Sequence, residues 1–276
     1  MSRVGGVSAR RIIITGAASG IAAATKAELE RRGAQVVGLD LNAEQDGLIA
    51  CDVCDQASVD QAVHEATARL GGVDVLINCA GLATPQSAGL SSDAKALAVI
   101  DVNLVGPWRV TSAALPTLRE TRGRVVNVAS GMAFVALPFA PAYAMSKHGV
   151  VAYSQALRLE HGDAIAVTTV YPGNIKTPIH QDSIEFGLEN SSPLERIEDA
   201  VNALARAALD DPPARDIVTT RTGRFTVALS RFAPRRFIDW VLLRQMRQTL
   251  KDRRFDDPSH PVAQFAQRLT GASRRQ

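Results

Sequence analysis

Short apolar runs rich in β-branched residues alternate along this chain with longer stretches whose apolar residues recur every three or four positions. The runs at Arg11–Thr15, Gln35–Leu39, Ile49–Val53, Val73–Ile77, Val125–Ala129, Ile165–Tyr171 and Asp216–Thr220 read as strands. Helical spacing extends from Gly20 to Arg32, closed by Gly33, and from Gln56 to Leu70, with Val59, Val63, Ala66 and Leu70 inward. It returns from Ser91 to about Leu118 and from Ala142 through Val150, Tyr153, Leu157 and Glu160. Pro107 falls inside the third stretch, so a kink or break is expected near Asn103. Strands that are apolar throughout, separated by helices, predict a parallel sheet covered on both faces: a three-layer, doubly wound α/β fold. Ligands of such sheets bind beyond the carboxyl ends of the strands. Gly16, Asp40, Asp52, Asn78, Ser130 and Pro172 all fall at such ends.

Three stretches carry candidate chemistry. The first strand runs through Thr15-Gly16-Ala-Ala-Ser19-Gly20-Ile21-Ala22 into a helix, an arrangement whose backbone N–H groups and helix N-terminus suit a pyrophosphate. Asp40 follows about 20 residues later at the next strand end, where a carboxylate accepts hydrogen bonds from an adenosine ribose and repels a 2′-phosphate. Neither neighbour, Leu39 or Leu41, is basic. Tyr143 and Lys147 are four apart, one turn from each other on one helical face. A free phenol is a poor base near neutrality, and a lysine ammonium one turn away is expected to lower its pKa. A phenol tuned in this way exchanges a proton with an alcohol or ketone. Ser130, at a strand end, would hold the same oxygen.

Composition narrows this reading little. At 276 residues with a formal net charge of +3, the chain suits one α/β domain or two small ones. The charge is uneven: residues 221–276 hold 13 Arg/Lys against 4 Asp, a net +9, leaving 18 basic against 24 acidic residues, or −6, in residues 1–220. No apolar run reaches the roughly 18 residues a membrane span needs, and residues 1–10 lack a signal-peptide core. Cys51, Cys54 and Cys79 do not suggest a disulfide framework, and the single CxxC pair lacks the second pair zinc would want. A reducing cytoplasm is the simplest setting.

Taken together, Thr15-Gly16-x-x-x-Gly20, Asp52-Val53, Asn78-x-Ala80-Gly81, Asn103, Ser130, Tyr143-x-x-x-Lys147 and Pro172-Gly173 followed by Thr177 resemble the short-chain dehydrogenases/reductases of the smaller, single-domain branch. The resemblance covers roughly residues 10–220 and implies a Rossmann fold. It implies that Tyr143 is the general acid/base, that Lys147 lowers its pKa and binds the nicotinamide ribose, that Ser130 orients the substrate oxygen and that Asn103 holds a relay water. It places Gly16, Ser19, Gly20 and Ile21 at the pyrophosphate, Asp40 and Leu41 at the adenosine ribose, and Asp52 and Val53 at the adenine. Asn78, Ala80, Gly81, Pro172, Ile175 and Thr177 complete the cofactor wall, the last two at the carboxamide. Two positions depart from the family pattern: Ala22 replaces a third glycine, and Cys79, expected as a packed thiol, replaces an asparagine.

On this reading residues 1–220 form the catalytic domain, with a lid at 178–192, and residues 221–276 a basic, partly helical extension. Asp40 favours NAD over NADP. Apolar residues in the lid and in the loop before Tyr143 (Met132, Phe134, Val135, Leu137, Phe139) imply a lipophilic cyclic alcohol or ketone, hydroxysteroid- or terpenoid-like. Rival readings are an NADPH-dependent ketoreductase of an acyl or polyketide substrate, and a dinucleotide sensor without catalysis. No nucleic-acid-binding pattern accompanies the basic tail. Pro234–Leu250 reads as a basic amphipathic helix that packs on the domain or a subunit, in preference to lying in a membrane interface. Residues 256–276 are polar and expected to be loosely ordered. A homodimer or homotetramer is expected through the helices carrying Asn103 and Tyr143.

Overall fold

The structure, a computed structural model, describes residues 9–44, 47–175, 194–220, 223, 224, 227, 232–251 and 257–271. Thr177 and the lid expected at 178–192 lie outside the described residues.

Seven strands form one parallel sheet: β1 (Arg11–Thr15), β2 (Gln35–Asp40), β3 (Leu48–Ala50), β4 (Val75–Asn78), β5 (Arg124–Val128), β6 (Ala166–Tyr171) and β9 (Asp216–Val218). Their order is β3-β2-β1-β4-β5-β6-β9, a doubly wound sheet whose direction of build reverses between β1 and β4. Two short strands, β7 (Asn174–Ile175) and β8 (Leu194–Glu195), pair in parallel apart from it. All seven strands expected from the sequence are in the sheet. β3 stops at Ala50 rather than Val53, because the chain turns at Asp52, whose Oδ1 accepts from Cys54 N at 2.8 Å.

The helices cover both faces. Ile12 and Ile14 of β1 enter a core with α1 (Gly20–Arg31) and α6 (Ile197–Leu209). Ile13 points the other way, into a core with α2 (Gln56–Leu70), α4 (Gly106–Glu120) and α5 (Pro141–His161). All three isoleucines are 0% exposed, each contributing about 1.5–3 kcal/mol by burial. The break near Asn103 is present, but a π-helical turn, Asp101–Val105, makes it, joining α3 (Ala94–Ile100) to α4. Pro107 sits in the first turn of α4, directly after that π-helical turn.

Two helices were not anticipated. Nothing in the sequence reading assigned α6, whose buried face is largely alanine. The expected loose order beyond Asp256 is also corrected: Pro261–Thr270 is a helix, α8, with Val262, Ala263 and Ala266 buried. Val262 and Ala266 pack with Met246 and Leu250 of α7 (Arg235–Leu250) and with Phe139, in the loop before α5. Phe139 adopts φ +63°, a strained value for an aromatic residue, and meets Phe265 edge-on at 5.4 Å.

Candidate active site

A cleft of about 330 Å³ opens at the carboxyl ends of β1, β2, β4, β5 and β6. Of the residues expected at a cofactor or in catalysis, Gly16, Ser19, Gly20, Ile21, Asp40, Leu41, Asp52, Val53, Ala80, Gly81, Ser130, Tyr143, Lys147, Pro172 and Ile175 line it. Its wall also includes residues the sequence reading passed over, among them Leu82 and Val102.

One end is built from main chain. Gly16 turns out of β1 at φ +76°, and a Cβ there would lie 2.8 Å from Ala80 Cα. Its N–H donates to Leu39 O at 2.8 Å. Thr15 Oγ1 accepts from Cys79 N at 3.0 Å and Ala80 N at 3.1 Å, stapling the ends of β1 and β4 together. Farther along, Gly38 lets the turn lie on β2, because a Cβ there would be 2.5 Å from the Ala17 methyl. Ser19 precedes α1 but its side chain does not cap the helix, and no acidic residue occupies the first turn. The helix therefore presents its N-terminal amides and positive dipole end at the cleft, which fits a bound pyrophosphate. Asp40 closes this end, its Oδ2 accepting from Ala18 N and its Oδ1 from Asn42 N, both at 2.9 Å. Ala22 is buried in the helix–sheet core, so its methyl is accommodated by packing.

The other end is built from buried side chains. The β5 strand runs out at Val128, and Ser130 begins a short 3-10 turn, with its Oγ accepting from Met132 N at 3.2 Å. Helix α5 carries Tyr143 and Lys147 side by side. Lys147 is 4% exposed, and its Nζ donates to Val128 O at 2.9 Å and lies 5.6 Å from the Tyr143 ring centroid. Burial pushes Lys147 down to about 8. The sequence led us to expect a lowered Tyr143 pKa. Instead, enclosure of its hydroxyl raises it above the ordinary phenol value, with a hydrogen bond to Ser130 pulling the other way. Cys79, beside them, is a packed thiol pushed up to about 11 by burial.

Two expected residues stand behind the wall. Asn103, 1% exposed, accepts from Leu82 N at 2.7 Å and donates to Leu82 O at 2.8 Å and to Ser146 Oγ at 3.1 Å. Ser146 Oγ in turn donates to Tyr143 O at 2.8 Å, so Asn103 ties the β4 loop to the helix that carries Tyr143. Asn78 lies within the sheet core, donating to Thr111 Oγ1 at 3.0 Å and to Asn127 Oδ1 at 2.8 Å. The apolar loop expected to line a substrate pocket also turns inward: Phe134 packs on Tyr171 at 4.9 Å and Phe139 on the C-terminal helices.

Glu195, which no sequence signal marked, holds the far wall in place. Its carboxylate accepts from Gly173 N at 3.0 Å, Thr219 Oγ1 at 2.5 Å and Thr220 Oγ1 at 2.8 Å. It thereby fixes the Pro172–Ile175 turn against the end of β9.

Comparison with known proteins agrees with this geometry. The chain is 35% identical over 183 residues to D-threitol dehydrogenase of Mycolicibacterium smegmatis, covering 60% of this chain and 70% of that one. A short chain dehydrogenase from Burkholderia cenocepacia, solved with NADP, superposes with a TM-score of 0.72 at 25% identity, covering 84% of this chain and 96% of that one. The 3-ketoacyl-(acyl-carrier-protein) reductase of Brucella melitensis, solved with NADH, gives 0.68 at 26% identity, covering 77% and 98%. The short chain dehydrogenase family profile matches residues 10–186, and this chain is a member of that family.

Proposed function

We propose that the protein is an NAD-dependent dehydrogenase that interconverts a secondary alcohol and a ketone. The observation that carries this is the single cleft, with a glycine turn, an open helix N-terminus and Asp40 at one end and Ser130, Tyr143 and Lys147 at the other. NAD, when bound, accepts the hydride. Gly16, Ser19, Gly20 and Ile21 would hold its pyrophosphate, Asp40 and Leu41 its adenosine ribose, and Asp52 and Val53 its adenine. The turn braced by Glu195 supports the choice of Pro172 and Ile175 for the nicotinamide end.

The chain's own chemistry is proton transfer. Ser130 orients the substrate oxygen, and Tyr143 exchanges the proton with it. Burial favours the neutral phenol, the form that donates a proton to a ketone. In the oxidative direction the phenol must first lose that proton, and Lys147 assists while it remains cationic. Oxidation should therefore speed up, and reduction slow down, as pH rises toward about 8, above which Lys147 loses its charge.

Leu82, Val102 and Ile175 on the wall support a lipophilic substrate, since among the described residues its charged side chains are Lys147 and, at the adenosine end, Asp40 and Asp52. A second reading, reduction of an acyl-carrier ketone, draws support from the Brucella relative. Exposed Leu97, Trp108, Met145 and Leu159, on α3, α4 and α5, support a homodimer or homotetramer through those helices. The deciding experiment follows NADH absorbance with NAD or NADP across hydroxysteroids, terpene alcohols, polyols and 3-hydroxyacyl thioesters. NAD-linked turnover on bulky apolar alcohols is the expected result. Turnover confined to NADP, polyols or thioesters would overturn the cofactor or substrate assignment.

A further inference from the structure

Helix α7 has two faces with opposite fates. Inward, Met246 and Leu250 are 5% and 2% exposed, packed on α8 and Phe139. Outward, Phe237, Trp240 and Val241 are 45%, 54% and 38% exposed. These three and Arg244 follow at three- and four-residue steps, so they share one stripe. Phe237 stacks on Trp240 at 6.0 Å, and the Arg244 guanidinium lies 5.4 Å over the Trp240 ring. Arg235, Arg236, Arg247 and Lys251 stand on the same helix or at its end, against one acidic residue, Asp239.

We propose that this outward face docks the protein on an anionic lipid surface, its rings at the headgroup boundary and its arginines on lipid phosphates. Aromatic side chains flanked by arginines match such an interface on both counts, apolar depth and charge. A second copy of the chain is a poorer occupant, because a two-fold contact through this stripe would set arginine against arginine. Among the described residues no helix is long and apolar enough to cross a membrane, so the contact is peripheral. The inward face already holds α7 to the domain, leaving the outward one for docking. The proposal stands independently of the catalytic assignment.

The test is co-sedimentation of the full-length protein with vesicles of phosphatidylglycerol and phosphatidylcholine, or of phosphatidylcholine alone. Binding to the anionic vesicles only, released by high salt, is expected. Arg244→Glu with Arg247→Glu should weaken it more than about tenfold. In a Trp108→Phe variant Trp240 is the one tryptophan left, and its emission should shift to the blue on anionic vesicles. Protein that stays in the supernatant, a double charge reversal that binds unchanged, or Trp240 emission that ignores lipid would each overturn the proposal. So would a Trp240→Ser variant whose oligomer dissociates while the wild type shows no lipid binding.

Discussion

The two ends of the cleft are made of different materials. The dinucleotide end is main chain: a left-handed glycine, stapled amides and a helix terminus, with Asp40 held by two backbone N–H groups. The Tyr143 end is side chain: an enclosed phenol, a buried amine and a hydroxyl, with burial raising the phenol's pKa and lowering the amine's while Ser130 pulls the phenol back down. The first is a matter of shape and fails when an atom is added. The second is a matter of desolvation and responds to pH and to the removal of a single polar atom.

If that division holds, substitutions should separate cleanly. Tyr143→Phe removes only the hydroxyl and should cut turnover about 10²–10⁴-fold while NAD affinity, read by fluorescence titration, stays within a few-fold. Comparable loss of NAD binding would join the two ends. Gly16→Val places a branched side chain at φ +76° against the Ala80 backbone. It should weaken NAD at least about tenfold and lower thermal stability, strain of this kind costing about 1–3 kcal/mol. Asp40→Ala should move the NADP-to-NAD ratio of kcat/KM toward NADP by about tenfold, and an unmoved ratio would remove Asp40 from cofactor choice.

The smallest effect concerns Lys147. Folded, it releases its proton near 8, against its ordinary value of 10.5. Between those values the unfolded chain binds more protons, so folding stability should gain as pH rises through that window. Lys147→Met should flatten that gain, as read from urea midpoints at several pH values. Identical slopes would mean that Lys147 is hydrated in solution.

The sheet was legible because its strands are continuous β-branched runs, Ile12–Ile14 and Val125–Val126 above all. The cleft was legible because parallel strands end on one side and the glycine turn, Asp40, Ser130 and Tyr143 each follow a strand. What stayed hidden depended on distant partners. Helix α6 buries seven residues, yet five of them are alanine. Helix α7 was plain in the sequence although it buries only two, because its leucines and aromatics are large apolar residues. The real place of Asn103 depends on Leu82 and Ser146, and that of Glu195 on Gly173 and two threonines, and no local pattern encodes such pairings. Tyr143 was expected to be lowered because spacing reveals a neighbouring lysine but not the enclosure that raises the phenol.

The pairing of β7 with β8 brings Ile175 beside Glu195, whose carboxylate also takes the Gly173 amide and two threonine hydroxyls at the end of β9. One side chain thus works as a keystone: segments far apart in sequence meet on it, and removing its charge would loosen them together.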